Sequence, residues 1–512
     1  MTADRVATID PAALTPDALG AGIFRGRPVG VLGFARSGIA LARFLADAGA
    51  AVTVYDARPA ADLARAIASL EGRQVRLLLG PDVDPGAALA GAALVATSPS
   101  ISPDFPTTEP RLRSSLVELV ARRAAGDPAA PAVVSEVDLF LRLCPAPTIG
   151  ITGTKGKTTT SALTHALLAT DADHPAVLGG NIGVPLVERL PELTPQHRVV
   201  LELSELQLPS LSRGTTVAAY TNVTADHLDR HGTLEAYRAV KRRLAELVDP
   251  AGALVLNADD PVVSGYGAAT KARVVRYRRG ELPPGGLGVA HGWIVADSVP
   301  PLDGQASVAE AAGGRIMPID ELGIPGAHNV SNALAATAVA LLFGIAPDAI
   351  RRAAAAFSGV EHRLERVAEL DGVRFINDSQ GTPSDAVIAA LRAFEPPIVL
   401  IAGGRDKGVD LAELATVVAE RAVAAVLIGE SGPALDRLFR GAGLATTERA
   451  ATLEDAVEAA DALARAAAGR ANGATATVLL SPAAASFDMF TDYEARGRAF
   501  KAAVARLAGE GR

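Results

Sequence analysis

Apolar runs and helical stretches alternate along most of the chain. From residue 28 the apolar run PVGVLGF is followed by the helical stretch SGIALARFLADAGA and a second apolar run, AVTVYD. A helix between two such runs predicts a βαβ unit with parallel strands. The same alternation starts again at APTIGIT, and once more at VRFIND, PIVLIAG and AAVLIG. The pattern therefore predicts an α/β protein built from several doubly wound units.

Three domains are predicted from these three starts. The Pro- and Ala-rich passage GDPAAPAVV precedes the second start, and EHRLERV precedes the third. The expected domains are a Rossmann-like domain at 1–138, a central P-loop domain with a mainly parallel sheet at 139–359, and a C-terminal Rossmann-like, doubly wound domain at 360–512. A length of 512 residues agrees with about three domains. The Gly- and Pro-rich segment from about 280 to 320 has the weakest pattern.

Composition and charge exclude several classes of protein. Hydrophobic residues make up 49% of the chain and charged residues 21%, which excludes disorder over most of its length. The net charge of -8 provides no overall positive field for a nucleic acid. The longest apolar run is shorter than the ~18 to 20 residues of a membrane span. The single Cys144 has no intrachain partner, and the N-terminus lacks a signal-peptide pattern. We therefore expect a cytoplasmic protein without nucleic-acid or membrane partners.

The strongest chemical motif is a glycine-containing loop that follows the predicted strand APTIGIT and opens a predicted helix. Backbone N–H groups of such a loop cradle phosphate oxygens, while Lys157 reaches the terminal phosphates and Thr158 can bind Mg²⁺. Ile151 occupies the position of the first glycine of the strict P-loop pattern, so only the shorter Gly-x-x-Gly-Lys-Thr form is present. The motif predicts ATP binding, with a plain turn as the alternative. Its residues are Gly153, Thr154, Lys155, Gly156, Lys157, Thr158 and Thr159.

A second glycine motif lies near the N-terminus. Gly33, Ala35 and Gly38 occupy the positions of the glycines in a dinucleotide fingerprint, and Asp56 ends the next strand, where a ribose-binding acid belongs. Ala35 replaces the middle glycine and hinders the close approach of a pyrophosphate. The motif indicates either a nucleotide site or a tight turn in which Asp56 is only a cap.

A series of short motifs occurs in one order along nearly the whole chain. They are TGTKGKTTT, GGNIGVPL, LELSELQL, TNVTADHLDRHGTLEAYRAVK, NADDP, IPGAHNVSN, EHRLE, INDSQGT, GGRDKG and SPAAASFDMFTDYEARGRAF. Together they resemble the Mur ligases of peptidoglycan synthesis, and the last motif resembles the glutamate-adding member. The resemblance implies a monomeric, ATP- and Mg²⁺-dependent ligase that forms ADP and activates a carboxylate as an acyl phosphate. It also implies UDP-N-acetylmuramoyl-L-alanine and glutamate as substrates, bound by the first and last domains.

The resemblance also assigns catalytic and metal-binding residues. Thr158 and Glu202 would hold one Mg²⁺, and His227 would lie with Glu202 near a second. Lys241 would help to hold the second metal if its amine is carbamylated. From spacing alone, Lys241 belongs to a solvated basic face with Arg242 and Arg243, Glu202 could be a surface or capping acid, and His227 could be a loop residue. The implied catalytic residues are Lys157, His227 and Lys241.

Other residues are matched to ligands by the same resemblance. Asn329 and Asn332, three apart on a helix start and so on one face, would flank the adenine, although capping is an alternative. Asp378 would lie near the ribose of ATP and Arg363 near its phosphates. Lys407 lies in a loop that could instead display a solvated lysine. The nucleotide-sugar residues would be Gly33, Ser37, Gly38, Asp56, Arg58 and Asn181, and the amino-acid residues Thr382, Lys407, Ser486, Phe487 and Tyr493.

The chain departs from the family pattern at several positions. Ser100 and Ala35 alter the expected uridine contacts, and Glu205 adds a carboxylate near the metal region. This chain has Lys155, Glu205, Leu206, Ser100, Gln380 and Ala484 where family members commonly have Asn, Ser, Phe, Gly, Lys and Cys, respectively.

Other functions account for parts of the sequence. A sibling ligase that adds L-glutamate or another amino acid, or a folylpolyglutamate synthase, would share the central ATPase. A nicotinamide-dependent oxidoreductase would use Gly33, Gly38 and Asp56 but leaves the phosphate loop unexplained. A nucleotide-gated binding protein would bind ATP without turnover.

Overall fold

The chain divides into a larger unit, 1–357, and a smaller unit, 358–512. In the described residues of this computed structural model, two β-sheets belong to the larger unit and one to the smaller. Most neighbouring strands are parallel and are connected by helices, which confirms the predicted α/β class. The structure describes residues 7–226, 228–324, 326–405, 411–470 and 475–510.

The first sheet is parallel and has the strand order β3-β2-β1-β4-β5. The chain moves from β1 to β2 on one side and later to β4 on the other, so a crevice opens at the carboxyl end of β1. The strands are β1 (Pro28–Leu32), β2 (Ala51–Asp56), β3 (Val75–Leu79), β4 (Leu94–Thr97) and β5 (Ala132–Ser135). The helices are α1 (Arg36–Asp47), α2 (Ala64–Ala68), α3 (Gly86–Leu89) and α4 (Pro110–Ala124).

The residues before β1 are part of the core of the first sheet. Ile9, Leu14 and Phe24 are buried, and the Ile9 N–H donates to the carbonyl oxygen of Ala93 at 2.8 Å. The ring of Phe24 meets that of Phe44 edge-on, with centroids 6.3 Å apart. This segment therefore stabilises the first sheet, a role that the sequence pattern did not indicate.

Helix α5 (Glu136–Leu143) leads from the first sheet to the second and is tied to a loop of the second sheet. Asp138 on this helix is buried. Its Oδ1 accepts hydrogen bonds from the backbone N–H of Ser212 at 2.7 Å and of Arg213 at 3.2 Å. Its Oδ2 accepts from Nε of Arg142 at 2.9 Å. One carboxylate thus links the elements on either side of the predicted domain boundary.

The second sheet has the order β14-β13-β12-β11-β10-β9-β6-β8-β7. It is parallel from β7 to β12, and the predicted weak segment at 280–320 forms the antiparallel β12, β13 and β14 at its edge. The strands are β6 (Thr148–Thr152), β7 (Ala176–Gly180), β8 (Arg198–Glu202), β9 (Val217–Tyr220), β10 (Ala253–Asn257), β11 (Arg273–Tyr277), β12 (Leu287–Ala290), β13 (Trp293–Ala296) and β14 (Arg315–Pro318). The helices are α6 (Lys157–Leu168), α7 (Leu228–His231), α8 (Leu234–Leu247), α9 (Pro261–Gly265), α10 (Val308–Ala311), α11 (Ala327–Leu342) and α12 (Pro347–Ala356).

Short 3-10 helices connect several of these elements. In the larger unit they are Pro11–Ala13, Pro16–Ala18, Ala60–Leu63, Leu186–Glu192, Leu208–Ser210, Tyr266–Ala269 and Ile319–Glu321.

The smaller unit contains a sheet with helices on both faces. Its order is β15-β16-β20-β17-β18-β19, with β15 antiparallel to β16 and the other pairs parallel. Separate apolar cores cover the two faces, as a doubly wound fold requires. The strands are β15 (Glu365–Leu370), β16 (Val373–Asn377), β17 (Ile398–Gly403), β18 (Ala424–Ile428), β19 (Thr447–Arg449) and β20 (Ala476–Leu480). The helices are α13 (Ser384–Ala393), α14 (Ala412–Arg421), α15 (Gly432–Gly441), α16 (Leu453–Arg470) and α17 (Tyr493–Glu510).

Across the described part of the chain, no helix combines the length and the apolar character needed to cross a bilayer.

Phe24→Ala should destabilise the larger unit, because the substitution removes a buried ring that packs against Phe44. The expected loss is about 3 kcal/mol in the free energy of unfolding. Urea unfolding measures it, with the exposed Val117→Ala as the matched control, expected to change by less than about 0.5 kcal/mol. Equal midpoints for the two variants would show that the N-terminal segment does not stabilise the first sheet.

Candidate functional site

The candidate site lies at the carboxyl edge of the second sheet. In the strand register, Ile151 of β6 is opposite Glu202 of β8, and Thr152 is opposite Tyr220 of β9. Parallel strands bring the residues that follow them to one edge of the sheet. The loop after β6, the acid at the end of β8 and the residues after β9 therefore meet, although they are far apart in sequence.

The glycines of the phosphate loop permit close packing on neighbouring elements. A Cβ added at Gly153 would lie 2.0 Å from Oγ1 of Thr221. A Cβ at Gly156 would lie 2.5 Å from Oδ1 of Asn332, and Gly156 has a φ of +86°, which disfavours other residues. The spacing of the motif thus reflects steric limits at two points of the loop.

Asn222 and Thr221 fix the loop backbone from the end of β9. The N–H of Thr154 donates to the carbonyl oxygen of Asn222 at 2.7 Å, and the N–H of Lys155 donates to Oδ1 of Asn222 at 2.9 Å. The hydroxyl of Thr221 donates to the carbonyl oxygen of Lys155 at 2.6 Å. Asn222 belongs to the TNVTADH motif, but the motif alone does not indicate this role.

Helix α11 supplies polar side chains to a cavity of about 410 Å³ beside the loop. Nδ2 of Asn332 donates to Oδ1 of Asn329 at 3.1 Å, which confirms that these residues share a helix face. The hydroxyl of Thr160 donates to Oδ1 of Asn332 at 3.2 Å. The cavity is also lined by Lys155, Gly156, Asn257, His328 and Arg279. Its size and its position beside the loop suit the base and sugar of a nucleotide.

Two lysines lie close to the loop. Nζ of Lys157 donates to the carbonyl oxygen of Thr154 at 2.8 Å. Nζ of Lys241 donates to the carbonyl oxygen of Gly153 at 2.9 Å and to Oγ1 of Thr152 at 3.3 Å. Lys241 is fully buried, so its assignment to a solvated basic face was wrong. Burial, together with the nearby charge of Lys157, lowers the pKa of Lys241 to about 7.

Glu202 combines burial with an unsatisfied oxygen. Its Oε1 accepts a hydrogen bond from Nδ2 of Asn181 at 2.8 Å. Its Oε2 is buried and has no hydrogen-bond partner among the described residues. Such an oxygen is costly unless a cation or donor binds it. Thr158, buried in the first turn of α6, offers a hydroxyl. A carboxylate and a hydroxyl are ligands that suit Mg²⁺, so the residues present fit this ion. The alternative of a surface acid was wrong for Glu202.

The N-terminal glycine motif borders a separate cavity of about 350 Å³, which Gly33, Asp56 and Ser100 line. Oδ2 of Asp56 accepts from the N–H of Phe34 at 2.8 Å, and its two oxygens accept from Nε and Nη2 of Arg58 at 2.9 and 2.8 Å. Burial alone would raise the pKa of Asp56, but these hydrogen bonds outweigh burial and lower it. Asp56 therefore caps the turn and also faces the cavity.

Ala35 is the N-cap of α1, and Ser37 and Gly38 lie in the first turn of this helix. Gly38 is buried there, and a Cβ at this position would lie 1.8 Å from the carbonyl oxygen of Gly33. Ser37 is half-buried.

In the phosphate loop, Thr159 is also half-buried, at the start of α6.

The smaller unit carries its own group of predicted residues. Asp378 follows β16 and is buried, which raises its pKa to about 6. Its Oδ2 accepts from the hydroxyl of Ser481 at 2.6 Å, and Arg363 lies close enough to act on its charge. Ser486 is buried, Phe487 is half exposed, and Thr382 and Tyr493 are partly buried.

Arg496 is a residue of the smaller unit that the sequence analysis missed. It is buried, and burial lowers its pKa to about 10. Its guanidinium donates to Oγ of Ser379 at 3.0 Å, to the Ser379 carbonyl oxygen at 2.9 Å and to the Ala484 carbonyl oxygen at 3.2 Å. Arg496 thereby joins the loop after β16 to the loop that contains Ser486. The ARGR run gave no sign of which arginine is buried.

Two predicted residues, His227 and Lys407, lie outside the described residues.

The fold and the site define a multidomain α/β protein with a phosphate loop and a candidate Mg²⁺ ligand set at one sheet edge. Residues 151–340 match the Mur ligase middle domain, and residues 362–484 match the Mur ligase, glutamate ligase domain. The chain therefore belongs to the Mur ligase family, whose members are ATP-dependent, ADP-forming ligases, as its ordered motifs predicted.

Individual relatives support this assignment. The UDP-N-acetylmuramoylalanine--D-glutamate ligase of Symbiobacterium thermophilum is 39% identical, over 93% of this chain and 97% of the relative. That of Pelotomaculum thermopropionicum is 38% identical, over 94% and 98%. The solved UDP-N-acetylmuramate-alanine ligase of Thermotoga maritima, 18% identical, shares the fold with a TM-score of 0.51 and covers 94% of this chain and 100% of its own.

Gly156→Ala should weaken ATP binding at least about tenfold. The new Cβ would collide with Asn332, and a left-handed backbone costs alanine about 1 to 2 kcal/mol. Titration calorimetry with ATP measures the effect. Gly469→Ala is the matched control, because its Cβ would meet open space in α16. Unchanged affinity in Gly156→Ala would mean that ATP does not bind at this loop.

Proposed function

We propose that this chain joins D-glutamate to UDP-N-acetylmuramoyl-L-alanine with the conversion of ATP to ADP and phosphate, in the cytoplasmic stage of peptidoglycan synthesis. The observation that carries the proposal is the meeting of the phosphate loop, Glu202 and Asn181 at one sheet edge. The D-isomer and the nucleotide sugar are taken from the names of the relatives. We expect the enzyme to act as a monomer.

The proposed reaction has two steps. An oxygen of the substrate carboxylate attacks the γ-phosphorus of ATP, the bond to the ADP oxygen breaks, and an acyl phosphate forms. The neutral amine of glutamate then attacks the acyl carbon, the bond to the phosphate oxygen breaks, and the nitrogen loses a proton as the amide forms and phosphate leaves. Negative charge accumulates in the first step, so its neutralisation controls the barrier. The N–H groups at the start of α6 and the ammonium of Lys157 are the groups of this chain that would neutralise it, since the N–H groups of Thr154 and Lys155 donate to Asn222.

Thr158 and Glu202 would hold Mg²⁺, which when bound shields the phosphate oxygens from the incoming carboxylate. The hydrogen bond from Asn181 to Oε1 of Glu202 leaves Oε2 for the ion and fixes the carboxylate plane. Asn181 would also contact the muramoyl part of the substrate. One amide side chain would then connect the metal side of the site with the acceptor side.

Lys241 would be carbamylated in the active enzyme and would help to hold a second metal with His227. A neutral amine is the form that reacts with CO₂, and a pKa of about 7 makes this form available at neutral pH. The buried Nζ also lies within 3.3 Å of two oxygens at the start of the phosphate loop. The carbamate would replace a cation by an anion at this position.

The remaining ligand residues would follow the family pattern. Asn329 and Asn332 would flank the adenine, with Arg363 and Asp378 near the phosphates and ribose. The carboxylates and amine of glutamate would be held by Thr382, Lys407, Ser486, Phe487 and Tyr493.

Lys157→Met should lower ADP release at least about 100-fold, because the variant loses the cation that faces the transferred phosphoryl group. The assay is coupled ADP release with UDP-N-acetylmuramoyl-L-alanine and a panel of D- and L-amino acids. Wild-type enzyme should release ADP faster with D-glutamate than with any other amino acid of the panel. The exposed Lys271→Met serves as the control and should retain wild-type rates. Undiminished release by Lys157→Met would refute the phosphate site, and a preference for another amino acid would refute the proposed substrate.

Lys241→Ala should lose activity that short carboxylic acids such as acetate partly restore, because the acid can replace the carbamate in the vacated volume. The matched control is Lys157→Ala, in which the missing group is a cation and acetate should restore nothing. Steady-state rates at increasing acetate measure both. Equal lack of rescue in the two variants would count against the carbamate.

A further inference from the structure

The cavity beside the N-terminal glycine motif is lined by residues from two different sheets of the larger unit. Asp56 ends β2 of the first sheet, and Gly33, Ser100 and Glu109 lie in the segments that follow β1 and β4. Arg230 comes from α7, which follows β9 of the second sheet. Arg230 has no role in the proposed reaction.

The carboxylates that line the cavity are already satisfied by other partners. Asp56 accepts from Arg58 and from the backbone of Phe34. Glu109 caps α4 by accepting from the N–H of Leu112 at 2.7 Å, and it also accepts from Nε of Arg111 at 3.2 Å. Of the described residues that line this cavity, Arg230 is the one cation. An anionic ligand in the cavity would therefore depend on it.

A buried carboxylate holds Arg230 in place. Oε1 of Glu205 accepts from Nη1 of Arg230 at 3.0 Å, and the side chains are 8% and 24% exposed. Nε of Arg230 is buried and has no hydrogen-bond partner within the described part of the chain. The pair thus fixes a guanidinium whose Nε keeps a donor without a partner among the described residues.

We infer that Arg230, positioned by Glu205, is a specificity-determining residue that binds the diphosphate of the nucleotide-sugar substrate in this cavity. The inference rests on the proposed function and extends it. A guanidinium is planar and always charged, and it matches the geometry of phosphate oxygens. Because Glu205 holds the guanidinium in place before the ligand binds, less conformational entropy is lost on binding. Glu205 lowers the net positive charge of the pair but keeps the donors of the Arg230 guanidinium in position. We therefore treat Glu205 as a positioning residue.

The test compares UDP with uridine, because the two ligands share the base and ribose and differ in the diphosphate. Binding to the full-length protein is measured by titration calorimetry without ATP. Arg230→Ala should weaken UDP binding about tenfold, the effect of losing a charge-assisted hydrogen bond, and should leave uridine binding within about twofold. Arg351→Ala is the control, since Arg351 forms a comparable but exposed pair with Glu321.

Glu205 variants test whether this residue acts through Arg230. Glu205→Gln should weaken UDP binding a few-fold, and Glu205→Gln combined with Arg230→Ala should match Arg230→Ala alone. The double variant leaves no unpaired charge at position 205. It therefore replaces Arg230→Ala in the comparison of UDP with uridine if the single variant folds poorly. Additive losses in the double variant would refute the positioning role.

The possible outcomes separate this inference from the proposed function. Suppose that wild-type protein binds UDP. If Arg230→Ala binds UDP with the same affinity, or if its affinities for UDP and for uridine fall by the same factor, the inference is wrong and the proposed function stands. If wild-type protein binds neither UDP nor its sugar-linked substrate, both are wrong. A selective loss of UDP binding in Arg230→Ala supports the inference.

Discussion

The catalytic arrangement depends on the close packing of the phosphate loop between the end of β9 and the start of α11. Side chains are excluded at Gly153 and Gly156 because Thr221 and Asn332 occupy the space that they would need. The same neighbours provide hydrogen bonds that define where the loop amides point. The packing of the backbone therefore fixes the loop, and in the proposed function it sets the position of the triphosphate that Lys157 and Glu202 would reach.

This packing places ionisable groups where water cannot reach them. Glu202, Glu205 and Lys241 are buried near one another at the same sheet edge, and burial of charge is unfavourable unless partners compensate. The pKa of Lys241 is lowered for this reason, and Oε2 of Glu202 has no hydrogen-bond partner among the described residues. In the proposed function, a Mg²⁺ ion bound by Oε2 of Glu202 would offset part of the cost of burying this carboxylate.

Local sequence predicted those features that local physics determines. Alternating apolar runs gave the α/β class, and the glycine spacing gave the phosphate loop. Lys241 shows the limit, because α8 carries Lys241, Arg242 and Arg243 in succession, and Lys241 is buried with its Nζ bonded to the carbonyl oxygen of Gly153, 88 residues away. Asn222 and Arg230 were missed for a similar reason, since their partners lie 67 and 25 residues away. Such contacts exist only after the strands have paired.

The carboxylate of Asp138 has a consequence for gene recombination among related ligases. Its hydrogen-bond donors, Ser212 and Arg213, lie more than seventy residues further along the chain. A chimera whose crossover point falls between these positions would combine the acid from one parent with the loop from another. A crossover between residues 357 and 358, where the two units meet in the sequence, keeps this network within a single parent, together with the phosphate loop and its neighbours in β9 and α11.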